Sequence, residues 1–172
     1  MSKDGYRVVI VGAGEVGFNI AKRLVEENKQ VVIIDPDSEV IKKVRMQLDV
    51  QAIEGSGASP TILDQAELDQ ADIVLAVTDS DEVNLMVCFF AKAMAPESAQ
   101  VARIRNQEYL LYKDILPDTV LNIDMVINPE LEFIKTIDQL VNVPGAVDYS
   151  EFADGRIRLS FPVFNPVSAL RV

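Results

Sequence analysis

The chain has 172 residues, room for one well-filled domain and a small appendage but not for two full domains. Its 16 Lys and Arg against 27 Asp and Glu give a formal charge of −11, which repels nucleic acid and anionic membrane surfaces, so no nucleic-acid partner is expected. There is no histidine and a single cysteine, Cys88, which removes Ser-His-Asp and Cys-His triads, histidine-based zinc sites and any intrachain disulfide.

The segment MSKDGYR at the start lacks a long apolar signal region. Stretches such as DIVLAVT and LMVCFFAKAMA fall short of the roughly 20 residues that span a bilayer. A soluble chain of a reducing cytoplasm is expected. The first apolar run, RVVIVG (7–12), leads directly into Gly12, Gly14 and Gly17 at G-x-G-x-x-G spacing. Val16, Ile20 and Leu24 then recur at i, i+4 on a helix starting near Glu15. In such a loop Gly12 permits the tight turn, Gly14 lets backbone approach a pyrophosphate, and Gly17 lets helix pack on strand. The candidate phosphate loop is therefore Gly12, Ala13, Gly14, Glu15, Val16 and Gly17, with the phosphates on the N–H groups at the helix N-terminus. Glu15 is an acid inside that loop and should disfavour highly charged phosphate groups unless its side chain points away.

The second strand, QVVIID (30–35), ends at Asp35, twenty-one positions after Gly14, and is followed by Pro36. An acid there accepts hydrogen bonds from the ribose hydroxyls of the adenosine and repels a 2′-phosphate, favouring NAD(H) or an adenine nucleotide over NADP(H). The plainer reading is a structural turn with a solvated strand-end aspartate. Val40, Val44 and Leu48 mark a second helix, and VQAIE (50–54) a third strand. The loop EGSGASP follows, with Gly55, Ser56, Gly57 and Ala58 bringing backbone close to the same crevice and Ser59-Pro60 opening a helix. Strand four, DIVLAVT (72–78), runs into VTDSDE, which sets Val77, Thr78, Asp79 and the Ser80 hydroxyl near the middle of a cofactor. Ser59 and Asp79 read equally well as helix caps.

QVARIR (100–105) and DMVIN (124–128) supply strands five and six. Six strands alternating with helices give an α/β fold, a doubly wound Rossmann-like parallel six-stranded sheet. Between the last two strands, Tyr109 and Lys113 stand at the Y-x-x-x-K spacing of short-chain dehydrogenases, but the glycine spacing, the upstream serine and the chain length those enzymes need are missing. Tyr109, Leu110 and Lys113 read better as a short amphipathic helix, and no catalytic residue is assigned. A helix over 129–142 carries Leu131, Phe133, Ile134, Ile137, Leu140 and Val141, either to cover the last strand or to form a homodimer. The Rossmann-type domain is expected over 1–144. A linker and a C-terminal β-hairpin extension centred on Ala153-Asp154-Gly155 follow over 145–172, and the end at VFNPVSALRV reads as part of something longer.

The segments IVGAGEVGFNIAKRLVEENKQVVIIDPD, EGSGASPTILDQA, ADIVLAVTDSDEVNLMVCFFAK, VARIRNQEYL and VINPELEFIKTIDQLVNVPGAVD, in this order, resemble the N-terminal nucleotide-binding domains of the TrkA family, regulators of K⁺ conductance in Trk-type potassium uptake systems. The resemblance runs from about Arg7 to Leu159. It implies a non-enzymatic cytoplasmic domain at the inner face of the plasma membrane that binds NAD(H), with ATP or ADP as alternatives, and holds no metal. It also implies homodimers or higher rings that gate a membrane K⁺ translocating subunit of TrkH/TrkG type, peripheral to the bilayer rather than inserted in it. The glycine motif falls on Gly12, Gly14 and Gly17, the ribose acid on Asp35, the second loop on Gly55 to Ser59, and the strand-four loop on Thr78 to Asp81. Arg103, at the end of strand five, would approach phosphates or a neighbouring subunit. A fragment of an NAD-dependent oxidoreductase is the alternative.

Overall fold

A computed structural model describes residues 5–111, 123–131, 133, 134, 137, 146–152 and 157–162. The chain divides after Ile127 into two compact units. The expected boundary at residue 144 lies outside the described residues, as do Lys113, Leu140, Val141 and the 153–155 turn.

The first unit holds β1 (Arg7–Val11), α1 (Glu15–Glu26), β2 (Gln30–Asp35), α2 (Ser38–Gln47), β3 (Gln51–Glu54), α3 (Pro60–Gln65), β4 (Ile73–Ala76), α4 (Asp81–Met94), β5 (Ala99–Arg103), α5 (Gln107–Leu111) and β6 (Met125–Ile127), with a 3₁₀ turn at Leu68–Gln70 before β4. The six strands form one sheet in the order β3-β2-β1-β4-β5-β6, every neighbouring pair parallel. This is the expected doubly wound fold. Register places Val9 between Val32 and Val74, and Ile10 between Ile33 and Leu75.

The continuous apolar runs follow from burial on both faces of the sheet. Alternate strand residues serve two cores. Val9, Val11, Val32 and Ile34 pack with Leu63, Leu68, Val87, Cys88 and Ala91 from α3, the 3₁₀ turn and α4. Val8, Ile10, Val31 and Ile33 pack with Ala21 of α1 and Val44 of α2, with Ile20, Leu24 and Val40 at the margin. Because β1 connects outward to β2 while β4 lies on its other side, the order reverses between β1 and β4. A crevice opens there at the carboxyl ends of the strands. Cys88 is buried in the first core, and burial, followed by the Asp124 charge, pushes its thiol pKa up to about 12.

In the second unit, residues 129–131, 133, 134 and 137 are helical, and β7 (Ala146–Phe152) pairs antiparallel with β8 (Ile157–Pro162), Tyr149 opposite Ser160. Two antiparallel strands are what the sequence led one to expect after residue 145. Among the described residues, no helix is long and apolar enough to cross a membrane.

Candidate nucleotide site

The loop between β1 and α1 is built around three glycines in three different settings. Gly12 has φ +102° and donates its N–H to the Ile34 carbonyl at 2.8 Å; a Cβ on it would sit 2.8 Å from Thr78 N. Gly17 is buried in the first turn of α1, and a Cβ there would lie 1.8 Å from the Gly12 carbonyl oxygen. Gly14 faces open space, with nothing within 4 Å of where its Cβ would be. It stands at the N-cap of α1, where no side chain caps the helix, so the first-turn N–H groups are left for a ligand or water.

Asp35 ties this loop down from the end of β2. Its Oδ2 accepts from Ala13 N at 2.8 Å and its Oδ1 from Asp37 N at 2.9 Å. Asp37 in turn caps α2, accepting from Glu39 N at 2.8 Å. The carboxylate is thus held in position by two backbone donors at the edge of the cleft described below.

A cleft of about 810 Å³ opens over these elements. Of the residues singled out from sequence, Gly12, Gly14, Glu15, Val16, Asp35, Pro36, Ser56, Gly57, Val77, Thr78, Asp79 and Arg103 line it, together with Asp37, Val40, Ser80 and Val83. Ala13, Gly17, Gly55 and Ala58 are not in its wall. Ala13 is buried behind Asp35 and Gly17 beneath the loop. Gly55 and Gly57 also leave room for packing: a Cβ on Gly55 would meet Ile62 Cδ1 at 2.5 Å, and one on Gly57 would meet Val11 Cγ1 at 2.1 Å. Ser56 holds this loop's turn, accepting from Ala58 N at 3.2 Å, while Ser59 stands at the N-cap of α3 without a side-chain cap bond.

The loop after β4 departs from the sequence reading in one respect. Asp79 does not cap α4. That role falls to Ser80, whose Oγ accepts from Val83 N at 3.3 Å, while Asp79 accepts from Arg103 Nη1 at 3.0 Å. Asp81 fastens the end of β5, its Oδ2 accepting from Arg105 N at 2.9 Å and Asn106 N at 2.7 Å.

Asn84 is the organising residue that sequence reasoning missed. It is fully buried on α4, its Oδ1 accepting from Thr78 N at 2.9 Å and Thr78 Oγ1 at 2.7 Å. Its Nδ2 donates to the carbonyls of Thr78 at 3.1 Å and Arg103 at 2.8 Å. One amide therefore fixes both cleft-lining segments. The signal was there to be read: Asn84 occupies the apolar stripe continued by Val87, Cys88 and Ala91, and a polar residue on a buried stripe has partners to satisfy.

Tyr109 is partly buried against the first core from α5, and its hydroxyl donates to Glu82 Oε1 at 3.0 Å. That bond, above all, raises the Tyr109 pKa, whereas a phenol acting as a base in proton transfer needs a lowered one. Glu82 is held below its usual range, first by the hydrogen bond from Ser80 and then by its own backbone and Tyr109. Among the described residues, no cluster of His, Cys, Asp and Glu is placed to hold a metal ion.

Strand order, glycine turn and strand-end acid together define a Rossmann-type domain with its cleft at the switch between β1 and β4. The model of the TrkA-N domain family matches residues 8–129, and the chain belongs to that family. It is 40% identical over 153 residues to the Trk system potassium uptake protein TrkA of Azorhizobium caulinodans, covering 88% of this chain and 33% of that protein. It is 37% identical over 170 residues to the Trk system potassium uptake protein TrkA homolog 1 of Methanosarcina mazei, covering 95% of this chain and 37% of that one. The chain thus spans about a third of the length of these relatives. Among solved structures, the TrkA-N domain of the inner membrane protein ybaL from Escherichia coli superposes with a TM-score of 0.68 at 21% identity, over 81% of this chain and 98% of that one. The GsuK channel bound to NAD superposes with a TM-score of 0.66 at 14% identity, over 90% of this chain and 26% of the channel chain. At these identities the superpositions speak to the fold alone.

Proposed function

We propose that this chain is the nucleotide-sensing module of a Trk-type potassium uptake system. It binds NAD(H), or ADP or ATP, in the β1/β4 cleft and acts on a membrane K⁺ translocating subunit of TrkH/TrkG type from the cytoplasmic side, without turning the ligand over. The observation that carries the reading is the uncapped N-terminus of α1 behind Gly14, facing a cleft also lined by the Asp35 carboxylate. Such an arrangement offers backbone donors to phosphates and a fixed acceptor to a ribose. The NAD held by the GsuK channel supports the choice of ligand class. Among the described residues that line the cleft, the carboxylates are the candidate general bases, and Tyr109 is engaged by Glu82.

Such a module acts through the difference between its affinities for two states, and moving a population from 1:99 to 99:1 takes about 5.5 kcal/mol. Four concerted sites at about 1.4 kcal/mol each supply it, which is why assembly belongs to the proposal. Calorimetric titration with NAD⁺, NADH, ADP and ATP is expected to show saturable binding. The absorbance of NADH should stay constant with any small carbonyl compound present. Steady loss of that absorbance would instead identify a dehydrogenase.

The proposed self-association uses the helical segment after β6, where Phe133, Ile134 and Ile137 are 66%, 59% and 44% exposed. Replacing Ile134 and Ile137 with Asp should convert an oligomer to a monomer, because two carboxylates would be desolvated at an apolar contact. Light scattering reads the mass directly, and an unchanged mass would move the interface elsewhere.

A further inference from the structure

Among the described residues, the cleft is lined by four carboxylates, Glu15, Asp35, Asp37 and Asp79, and one cationic side chain, Arg103. The two members of the Arg103–Asp79 pair differ sharply in environment. The Arg103 side chain is 16% exposed and that of Asp79 is 91% exposed, with Nη1 and Oδ1 3.0 Å apart. Arg103 Nε is buried and has no hydrogen-bond partner. A guanidinium in that setting needs an anion beside it in every state of the cleft, since burying it unpaired is costly. Asp79, by contrast, is solvated almost fully, so water takes up its carboxylate when it lets go.

We infer that Asp79 is a built-in competitor for the ligand's phosphate: it occupies the Arg103 guanidinium when the cleft is empty and is displaced by a phosphate oxygen when a nucleotide binds. The inference rests on the nucleotide-binding reading and adds how the site weighs ligand charge and what moves when it fills. A phosphate carries more charge than a carboxylate and accepts from a planar guanidinium through two oxygens at once, so it wins the exchange. The released residue lies in the loop that fastens the site. Asp79 precedes the Ser80 cap of α4, its carbonyl accepts from the Arg105 guanidinium, and Asp81 two positions on holds the amides of Arg105 and Asn106. Exchange at Arg103 therefore loosens one anchor of the 78–81 segment each time a phosphate arrives. A ligand without phosphate leaves that anchor in place.

A double-mutant cycle read by calorimetric titration with ADP and with NADH tests this. Asp79→Asn, on an exposed side chain, should tighten ADP binding by about threefold or more, and Arg103→Gln should weaken it by about tenfold. The double variant should match Arg103→Gln within about a factor of two, because a competitor has no effect once the group competed for is gone. Adenosine, which has no phosphate, should bind the Asp79→Asn variant and the wild-type chain equally. If Arg103→Gln does not fold, Arg103→Met keeps the apolar stem and removes the same charge. Equal tightening by Asp79→Asn with and without Arg103 would make Asp79 a merely repulsive surface charge and overturn the inference. So would unchanged or weaker ADP binding in the single Asp79 variant. Failure of the wild-type chain to bind either ADP or NADH would overturn the nucleotide reading together with it.

Discussion

Gly17→Ala is expected to lower the stability of the fold by about 3 kcal/mol and to abolish nucleotide binding. In an exposed helix the same change would stabilise by up to about 1 kcal/mol, since Ala is the better helix former. Here the added methyl would lie 1.8 Å from the carbonyl oxygen of Gly12 and 3.3 Å from Val77 Cγ2. The loop cannot retreat, and the helix can give way only at its start. Gly12 is pinned through its N–H to Ile34 and sits on the Thr78 backbone, and α1 is fixed by Ala21 in the second core. The relief available is to swing the start of α1 away from β1, which removes the N–H groups from the cleft. Urea unfolding checks the first half as a lower midpoint at unchanged slope. A midpoint equal to that of the wild-type chain would show that α1 does not press on the glycine turn.

Asp35→Ala should weaken NADH binding about ten- to a hundredfold, the value of a lost charge-assisted hydrogen-bond pair of roughly 1.5–3 kcal/mol. From sequence alone the fold would be expected to survive this change unharmed. The structure adds a second cost, because Ala13 N and Asp37 N both lose their acceptor, and Ala13 is buried. A stability loss of about 1–3 kcal/mol should accompany the loss of affinity. Asp35→Asn tells the two contributions apart: its amide oxygen still accepts one of the two N–H groups, so stability should recover more than affinity. If the Ala variant instead binds NADH as tightly as the wild-type chain while remaining folded, the ribose is not held by Asp35.

The two substitutions lie on the parts of the protein most legible in the sequence. G-x-G-x-x-G after a β-branched run and an acid ending the next strand are local patterns. A tight turn, a close helix and a strand-end carboxylate each depend on a few neighbouring residues. The six strands and the helices between them were equally plain, because strand runs buried on both faces and i, i+4 stripes are written in single-residue periodicity. Strand ends were less so: β4 closes at Ala76 and β5 at Arg103, short of the apolar runs that extend to Thr78 and Arg105. Those extra residues leave the sheet to form the cleft and its fastenings.

The sequence by itself determined the fold class, the glycine turn and the acid across from it, since each is set by chemistry within one strand-turn-helix unit. Only the tertiary structure decided which side chains fill the space around the small residues. Gly55 and Gly57 lie in the loop read as bringing backbone close to the crevice, and Ile62 and Val11 occupy the space their side chains would need. It also decided that Asp79 pairs with Arg103, twenty-four residues away, and that Asn84 joins Thr78 to Arg103 through one buried amide. The physical reason is the same for both. A hydrogen bond between residues far apart in sequence exists only once parallel strands β4 and β5 lie side by side, and no local pattern encodes which polar groups that packing will bring together.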